Sequence, residues 1–174
     1  SGPDSMQPSI LYAVLQTIYL AKKEIFITTP YFIPGDRVIE ALCVAALSGL
    51  DVKLLVPGKS DSRLVNAASQ SYYSQLLEAG VQVYLYQKGF VHAKTIVTDG
   101  QLSMVGTANM DYRSFELNFE VNAIVYDKNI AGQLRQIFFD DLEAAVKIDK
   151  DDWLSRPSYV QFPEKLARLF SPVL

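Results

Sequence analysis

The chain has 174 residues, of which 49% are hydrophobic and 20% are charged, and these values are ordinary for a single globular domain. Its formal net charge of −3 argues against a nucleic-acid partner, since no overall positive field is available for a phosphate backbone. No apolar run approaches the roughly 18 residues of a membrane-spanning helix. The only cysteine, Cys43, excludes an internal disulfide and favours a buried free thiol in a reducing compartment.

Nothing at the beginning of the chain resembles a signal peptide, and the first residue is Ser1 rather than Met. We therefore expect the chain to be a piece of a longer protein.

Helices alternate with strands over the first half of the chain. The apolar positions Ile10, Val14 and Ile18 fall on one helical stripe, and prolines end the first two strand-like runs. The predicted elements are helices at 8–23, 35–49 and 61–80 and strands at 24–30, 51–57 and 81–87. This alternation predicts an α/β fold with a mixed, mostly parallel sheet and helices on both faces.

The second half of the chain follows a different pattern. Asp99-Gly100 separates two strand-like runs, 92–98 and 101–107, and predicts a hairpin. A long alternating strand follows at 117–127, with Phe119 and Val121 expected on its apolar face. The remaining predictions are a helix at 130–148 and a short amphipathic helix in the tail at 159–174.

The hairpin turn sets which residues face each other. If Asp99 and Gly100 are its two central residues, Thr98 pairs with Gln101 and the register continues toward the open end of the hairpin. Asp99 then lies about 23 Å from His92, because seven strand residues rise about 3.3 Å each. Spacing therefore assigns Asp99 a structural role in the turn.

The only histidine of the chain lies near the open end of this hairpin. His92 and Lys94 share one face of a strand because side chains alternate with a period of two. The predicted register places Thr107 opposite His92, and Asn109 follows on the same face. These four side chains are expected to converge.

Such a set suits a phosphoester. An imidazole such as that of His92 attacks phosphorus or carries a proton. The Lys94 ammonium and the Asn109 and Thr107 donors are able to hold phosphoryl oxygens and stabilise charge in the transition state. Taken singly, each of these residues has an ordinary structural explanation, and their common register is what favours a functional one.

An imidazole in this role also needs a carboxylate to fix its orientation. Glu120 is the best candidate, since it lies on the polar face of the predicted long strand with Asn118 and Asn122. A carboxylate on a central strand otherwise needs an explanation, and pairing with Arg113 is the structural alternative.

The stretch "HAKTIVTDGQLSMVGTAN" resembles the HxKxxxxD(x)6GxxN signature of the phospholipase D superfamily, with five fixed positions within 18 residues. These positions are His92, Lys94, Asp99, Gly106 and Asn109, and the signature thus places Asp99 among the catalytic residues. The segments "TTPYFIPGD", "GKSDSRLV", "LLEAGVQVY" and "GTANMDYRSFELNFE" resemble the C-terminal half of bacterial cardiolipin synthases. The resemblance covers essentially the whole chain and implies a single phospholipase D-like domain over residues 1–174.

The resemblance implies a role for each matching residue. His92 either forms a covalent phosphohistidine or protonates the leaving group, and Lys94 and Asn109 hold the phosphate. Glu120 matches the acid that pairs with the histidine. Thr107 stands where many relatives have serine, and it keeps the hydroxyl. The superfamily binds phosphate between two such motifs without a metal, so no cofactor is expected.

The function that the resemblance implies is transfer of a phosphatidyl group between two phosphatidylglycerol molecules, giving cardiolipin and glycerol. A single histidine cannot occupy both sides of one phosphorus. We therefore expect the active site to be completed by an N-terminal half of the same protein or by a second copy. A homodimeric phosphodiesterase or nuclease and a non-catalytic domain are the alternatives. The expected location is the cytoplasmic face of a bacterial membrane.

Two further features have a functional and a structural interpretation. Tyr31 and Phe32 follow the first strand, where α/β sheets place their sites, and they either line a substrate channel or pack in the core. The tail carries an apolar stripe composed of Phe162, Leu166, Leu169 and Phe170. This stripe either touches a bilayer or docks against the rest of a longer protein, and the second interpretation is favoured.

Overall fold

The computed structural model describes residue 2 and residues 4–171. Within them the α-helices are α1 (Ser9–Leu20), α2 (Asp36–Leu47), α3 (Arg63–Ala79), α4 (Lys128–Leu142), α5 (Lys150–Leu154) and α6 (Ser158–Arg168). The strands are β1 (Glu24–Thr28), β2 (Phe32–Ile33), β3 (Asp51–Pro57), β4 (Gln82–Tyr86), β5 (Thr95–Thr98), β6 (Leu102–Gly106), β7 (Met110–Asp111), β8 (Asn122–Tyr126) and β9 (Ala145–Lys147). None of these helices is long and apolar enough to cross a bilayer.

Seven strands form the central sheet in the order β8-β6-β5-β1-β3-β4-β9, and β2 and β7 form a separate parallel pair. The mixed α/β class is confirmed. Within the central sheet, parallel pairing is confined to β1, β3 and β4, whereas β5, β6, β8 and β9 join antiparallel, so this sheet is less parallel than predicted. After β4, a short hairpin joins β5 to β6, whereas residues 107–121 connect β6 to β8 and α4 connects β8 to β9 at the opposite edge of the sheet.

Helices cover both faces of the sheet, as predicted. In β1, Ile25 and Ile27 point into the large core shared with α1, α2 and α3. Phe26 points to the opposite face, where its ring stacks on Phe138 of α4 at 5.0 Å between centroids. The alternation of side chains along one buried strand therefore serves two separate apolar layers.

The elements predicted over the first half of the chain are confirmed to within a few residues. The Ser62 hydroxyl caps α3 by accepting a hydrogen bond from the Val65 N–H at 3.4 Å. Gly80 ends the same helix with a φ of 98°, which a residue with a Cβ rarely adopts.

The long strand predicted at 117–127 is half the expected length. Arg113–Leu117 form one π-helical turn, an extended loop follows, and β8 begins only at Asn122. β8 lies at the edge of the sheet, so Phe119 and Val121 of the preceding loop are 73% and 71% exposed rather than buried. The alternation of apolar residues in the sequence did not distinguish an edge strand from a central one. Such alternation indicates which residues share a face, but it does not show how deeply the strand is buried.

The predicted helix at 130–148 is also too long. α4 ends at Leu142, and the following residues turn back to form β9, which pairs antiparallel with β4. Short apolar runs such as "AAVKI" fit a strand and a helix end equally well, and here the open edge of β4 decides. The tail helix is confirmed as α6, with residues 172–174 outside the described part of the chain.

The hairpin of β5 and β6 is confirmed, but its register differs by one residue from the prediction. Thr98 pairs with Leu102, so Asp99, Gly100 and Gln101 all lie between the paired residues. Asp99 and Gly100 both have positive φ, of 55° and 60°. The Gln101 N–H still bonds to the Thr98 carbonyl at 3.0 Å, and the additional residue is Gln101 itself.

Asp99 fastens this turn to the start of β1. Its carboxylate accepts hydrogen bonds from the backbone N–H groups of Lys22, Lys23 and Glu24 at 2.8, 2.8 and 3.0 Å. A carboxylate that accepts several backbone N–H groups is an effective structural clamp. The structure thus supports the structural role that spacing assigned to Asp99.

Replacing Asp99 with Ala should lower the free energy of unfolding by about 1–3 kcal/mol, because three backbone donors lose their acceptor and Ala disfavours a positive φ. Asp99→Asn is the matched control, since Asn tolerates this backbone conformation and keeps one oxygen acceptor, and it should lose clearly less. Urea unfolding measures both variants. Equal stability of Asp99→Ala and wild type would contradict this role.

Candidate active site

Three loop segments meet beyond the ends of the sheet strands and carry the predicted site residues. Residues 90–94 precede β5, residues 107–109 follow β6, and residues 118–121 precede β8. Because β5, β6 and β8 are neighbours in the sheet, these three segments emerge side by side at one end of it. The site is therefore built on loops that a short antiparallel meander brings together.

His92 is exposed, and its ring lies against Lys94. The Lys94 ammonium is 3.2 Å from each ring nitrogen of His92 and donates a hydrogen bond to the His92 carbonyl oxygen at 2.9 Å. The Phe90 ring lies 5.8 Å from the imidazole, measured between centroids. The imidazole thus has an aromatic ring and a cation as neighbours while it stays accessible from outside the domain.

Lys94 is half-buried, and its charge is balanced by nearby carboxylates. Burial lowers the pKa of its ammonium, whereas the carboxylates of Glu120 and Asp111 raise that pKa. The cation therefore lies between the imidazole and two acidic side chains. Such an environment suits the binding of a phosphoryl oxygen, which brings the negative charge that a partly desolvated ammonium needs.

Thr107 and Glu120 are linked directly. The Thr107 hydroxyl donates a hydrogen bond to the Glu120 carboxylate and accepts one from the Val121 N–H at 3.0 Å. Asn118 donates its amide to the other carboxylate oxygen at 3.3 Å. Glu120 is thereby held in the loop before β8 and not on a central strand, which corrects the predicted setting. Its pairing with His92 stays a prediction.

Asn109 lies where two cavities meet. Its backbone N–H donates to the Ser114 hydroxyl at 3.1 Å, which fixes the loop after β6. The side chain lines a small cavity together with Lys94 and a larger one together with Tyr31. The carboxamide oxygen is buried and has no hydrogen-bond partner among the described residues, and a phosphoryl oxygen would be met by the amide N–H groups and not by this oxygen.

Asp111 is a candidate site residue that the sequence analysis missed. Its side chain is only 5% exposed, and it accepts a hydrogen bond from the Ser114 N–H at 2.7 Å. Burial raises the pKa of its carboxyl group, although hydrogen bonds from Ser114 and Asn109 lower it. Its position two residues after Asn109 in "ANMD" was the available signal, because strand neighbours at this spacing share a face.

The larger cavity beside Asn109 has a volume of about 310 Å³ and is lined by Tyr31, Ile33, Val65, Asn109, Asp111, Arg113 and Asn118. Tyr31 belongs to this lining, and its binding role stays a prediction. Its hydroxyl donates to Asp61 at 2.7 Å, and burial together with this bond raises the pKa of Tyr31 to about 12. Phe32 does not line the cavity: it is fully buried in β2 opposite Met110, so its predicted binding role is replaced by core packing.

The glycine of the motif has a steric explanation. A Cβ on Gly106 would lie 2.3 Å from the Val121 carbonyl oxygen and 2.1 Å from the Asn122 side-chain oxygen. Only glycine permits the close approach of β6 and β8 at this point. That approach sets Thr107 beside Glu120.

The structure therefore brings His92, Lys94, Thr107, Asn109 and Glu120 to one end of the sheet, although the predicted hairpin register was wrong. Asp99 does not join them, because it lies in the turn at the opposite end of β5 and β6. Its inclusion among the catalytic residues is corrected. The assembled groups offer a nucleophile or acid, a cation, amide and hydroxyl donors, and a carboxylate.

The sequence matches known proteins along its whole length. It is 42% identical over 174 residues to a cardiolipin synthase of Listeria welshimeri, covering all of this chain and 36% of the relative. It is 49% identical over 173 residues to cardiolipin synthase 2 of Bacillus cereus, covering 99% of this chain and 34% of the relative. The chain thus spans about a third of the length of these relatives.

Solved structures share the fold at low sequence identity. A phospholipase D family member, Nuc from Salmonella typhimurium, has a TM-score of 0.69 and 21% identity over 79% of this chain and 89% of its own. Phosphatidylserine synthase of Haemophilus influenzae has a TM-score of 0.73 and 16% identity over 95% of this chain and 44% of its own. A family model described as "Cardiolipin synthase, PLD-like domain" matches residues 14–142. The chain belongs to this family of cardiolipin synthase phospholipase D-like domains.

Proposed function

We propose that this chain supplies one half of the catalytic centre of a cardiolipin synthase, which transfers a phosphatidyl group from one phosphatidylglycerol to another. The observation that carries the proposal is the exposed imidazole of His92 held against the Lys94 ammonium, beside Asn109 and the Thr107–Glu120 pair. An imidazole, a cation and neutral donors at one end of the sheet match the needs of phosphoryl transfer through a covalent intermediate.

In the first step, one histidine attacks the phosphorus of phosphatidylglycerol. A nitrogen–phosphorus bond forms while the phosphorus–oxygen bond to glycerol breaks, and a second histidine gives its proton to the departing glycerol oxygen. Lys94 and the Asn109 carboxamide hold the non-bridging oxygens, where negative charge has to be stabilised in the transition state.

In the second step, the hydroxyl of another phosphatidylglycerol attacks the phosphorus. The second histidine takes the hydroxyl proton, the nitrogen–phosphorus bond breaks, and cardiolipin leaves with the first imidazole restored. Each histidine thus returns to its starting state. Glu120 acts as a positioning residue in this scheme, in which its carboxylate orients the imidazole of His92.

The second histidine has to come from another half, because His92 is the only one in this chain. Its source is an N-terminal half of the same protein or a second copy, and the relatives are long enough to contain it. Leu117, Phe119 and Val121 present exposed apolar side chains next to Glu120, and this surface is where the other half docks. The net charge of −3 disfavours the nuclease alternative.

The substrate places the working protein at a lipid surface. We assign it to the cytoplasmic face of a bacterial membrane, with this domain lying peripherally. The free thiol of Cys43 and the bacterial relatives support this assignment.

Replacing His92 with Ala in the protein completed by its second half should reduce cardiolipin synthesis by at least about 10³-fold, because neither covalent attack nor proton transfer has a substitute. Acid-labile phosphate trapped on His92 with labelled phosphatidylglycerol would identify it as the nucleophile. Phosphate on the histidine of the other half would identify His92 as the acid. Absence of phosphate from both halves would reject covalent catalysis.

Lys94→Ala should also lower turnover, by about 10²-fold or more, since phosphoryl charge loses its cation. Lys59→Ala is the matched control, because Lys59 is an exposed loop lysine that lines none of the cavities beside Asn109. Turnover of the control should equal that of wild type. Similar turnover in both variants would contradict the phosphate-holding role of Lys94.

Comparing the stability of Asp111→Asn and wild type at several pH values tests whether burial raises the pKa of the Asp111 carboxyl group. The raised pKa of Asp111 means that the folded state binds its proton more tightly than the unfolded chain. As pH rises from the ordinary value of 3.8 through the raised value, wild type should therefore lose stability relative to Asp111→Asn. Urea unfolding of both proteins across this interval measures the difference, and a difference independent of pH would refute it.

A further inference from the structure

Helix α6 and the two residues after it present a continuous apolar stripe to the outside of the domain. Its members are 49–78% exposed, and the three within the helix recur every three or four residues, so that they lie on one side of it. We call this set the α6 stripe; it consists of Tyr159, Phe162, Leu166, Leu169 and Phe170. Five large exposed apolar side chains on one helix form a patch of the kind that marks an interaction surface.

The opposite side of α6 attaches it to the domain. Ala167 and Glu164 are buried, and α6 packs along α3. The Arg156 guanidinium grips the Glu164 carboxylate through two bonds of 2.8 and 2.9 Å and stacks over the Trp153 ring at 3.4 Å. The helix is therefore held by an ion pair and a small side chain, while its large apolar residues face outward, which reverses the usual arrangement of a surface helix.

The charges around the stripe select for an anionic partner. Between Ser158 and Phe170 the cations are Lys165 and Arg168, and Arg168 forms an ion pair with Asp36 at 3.0 Å. The only acid in this segment, Glu164, is buried and neutralised by Arg156, so Lys165 carries the positive charge of this surface. Lys165 is exposed beside the stripe. A positive apolar surface on a chain whose net charge is −3 is a local exception, and aromatic residues with interleaved cations are typical of helices that lie on anionic bilayers.

Two neighbouring cavities lie near the end of the α6 stripe and near the candidate active site. A cavity of about 230 Å³ is lined by Leu169, Arg168, Tyr112 and Ile33, among others. Ile33 also lines the cavity of about 310 Å³ beside Asn109, and Arg113, the neighbour of Tyr112, lines that one as well. The two cavities share Ile33 as a lining residue, so they are neighbours, one beside the end of the stripe and one beside Asn109.

We propose that the α6 stripe docks this domain on an anionic phospholipid bilayer, and that a lipid passes from there to Asn109 by way of the two cavities that share Ile33. The second part rests on the proposed phosphatidyl transfer, whereas the first does not. In the proposed function, the second catalytic half docks on the surface around Phe119 and Val121, because its histidine has to reach the same phosphorus as His92. The α6 stripe needs a different occupant, and its charge matches anionic lipid.

Vesicle flotation tests the docking. The chain should float with vesicles of equimolar phosphatidylglycerol and phosphatidylcholine and much less with phosphatidylcholine alone. Tyr159→Ser/Phe162→Ser should weaken binding by at least about tenfold, since two inserted aromatic side chains are lost. Val44→Ser/Leu47→Ser on α2 is the matched control, with similarly exposed apolar residues, and it should bind as wild type does. Thermal unfolding verifies that both variants are folded.

Tryptophan fluorescence provides a second test, which reports a gain of signal on binding and does not depend on loss of vesicle binding in a variant. In Phe162→Trp, the tryptophan emission should shift to shorter wavelength when phosphatidylglycerol vesicles are added, because the indole enters the apolar layer. Wild type, which contains only Trp153, is the control for the signal of the native residue. Absence of an additional shift in Phe162→Trp would overturn the docking.

Turnover separates this inference from the proposed function. In the protein completed by its second half, Tyr159→Ser/Phe162→Ser should retain activity on monomeric short-chain phosphatidylglycerol and lose it on vesicles. His92→Ala should bind vesicles as wild type does and turn over neither substrate. Unchanged vesicle binding by Tyr159→Ser/Phe162→Ser, or loss of association with the other half instead, would overturn the inference and favour docking within a longer protein.

Discussion

The ammonium of Lys94 is the group on which the candidate site depends. It contacts the ring and the carbonyl of His92, and the carboxylates of Glu120 and Asp111 favour its charged form against the cost of burial. Without this cation, the Glu120 and Asp111 carboxylates would lose the positive charge that favours their ionised forms, and the imidazole of His92 would have no cation in contact with it. The neutral hydrogen bonds of Thr107 refine the arrangement but do not replace that charge.

Much of the site was predictable because it depends on local sequence. The hairpin signal at Asp99-Gly100 brought the segments before β5 and after β6 together, and this conclusion tolerated a register error of one residue. The error is harmless because His92 and Thr107 lie beyond the paired strands, where loops and not the pleat set the direction of side chains. The clamp role of Asp99 followed from distance alone, whereas the motif on its own suggested catalysis.

The features that were not predicted depend on contacts between distant segments. The pairing of β2 with β7 joins residues 32–33 to residues 110–111, and no local sequence pattern predicts it. Asp111 is buried by this pairing, and Phe32 is removed by it from the cavity that Tyr31 lines. β9 exists because β4 leaves an open edge, so its conformation is decided by a partner and not by its own propensity.

The position of β8 has a practical consequence for handling the protein. β8 ends the sheet within the described part of the chain, and Ile124 and Tyr126 on it are 42% and 75% exposed. An outermost strand keeps a row of backbone groups ready to pair with any other extended segment. A preparation of this chain by itself will therefore be prone to self-association at high concentration, and charged substitutions along that border are the natural means to keep it monodisperse.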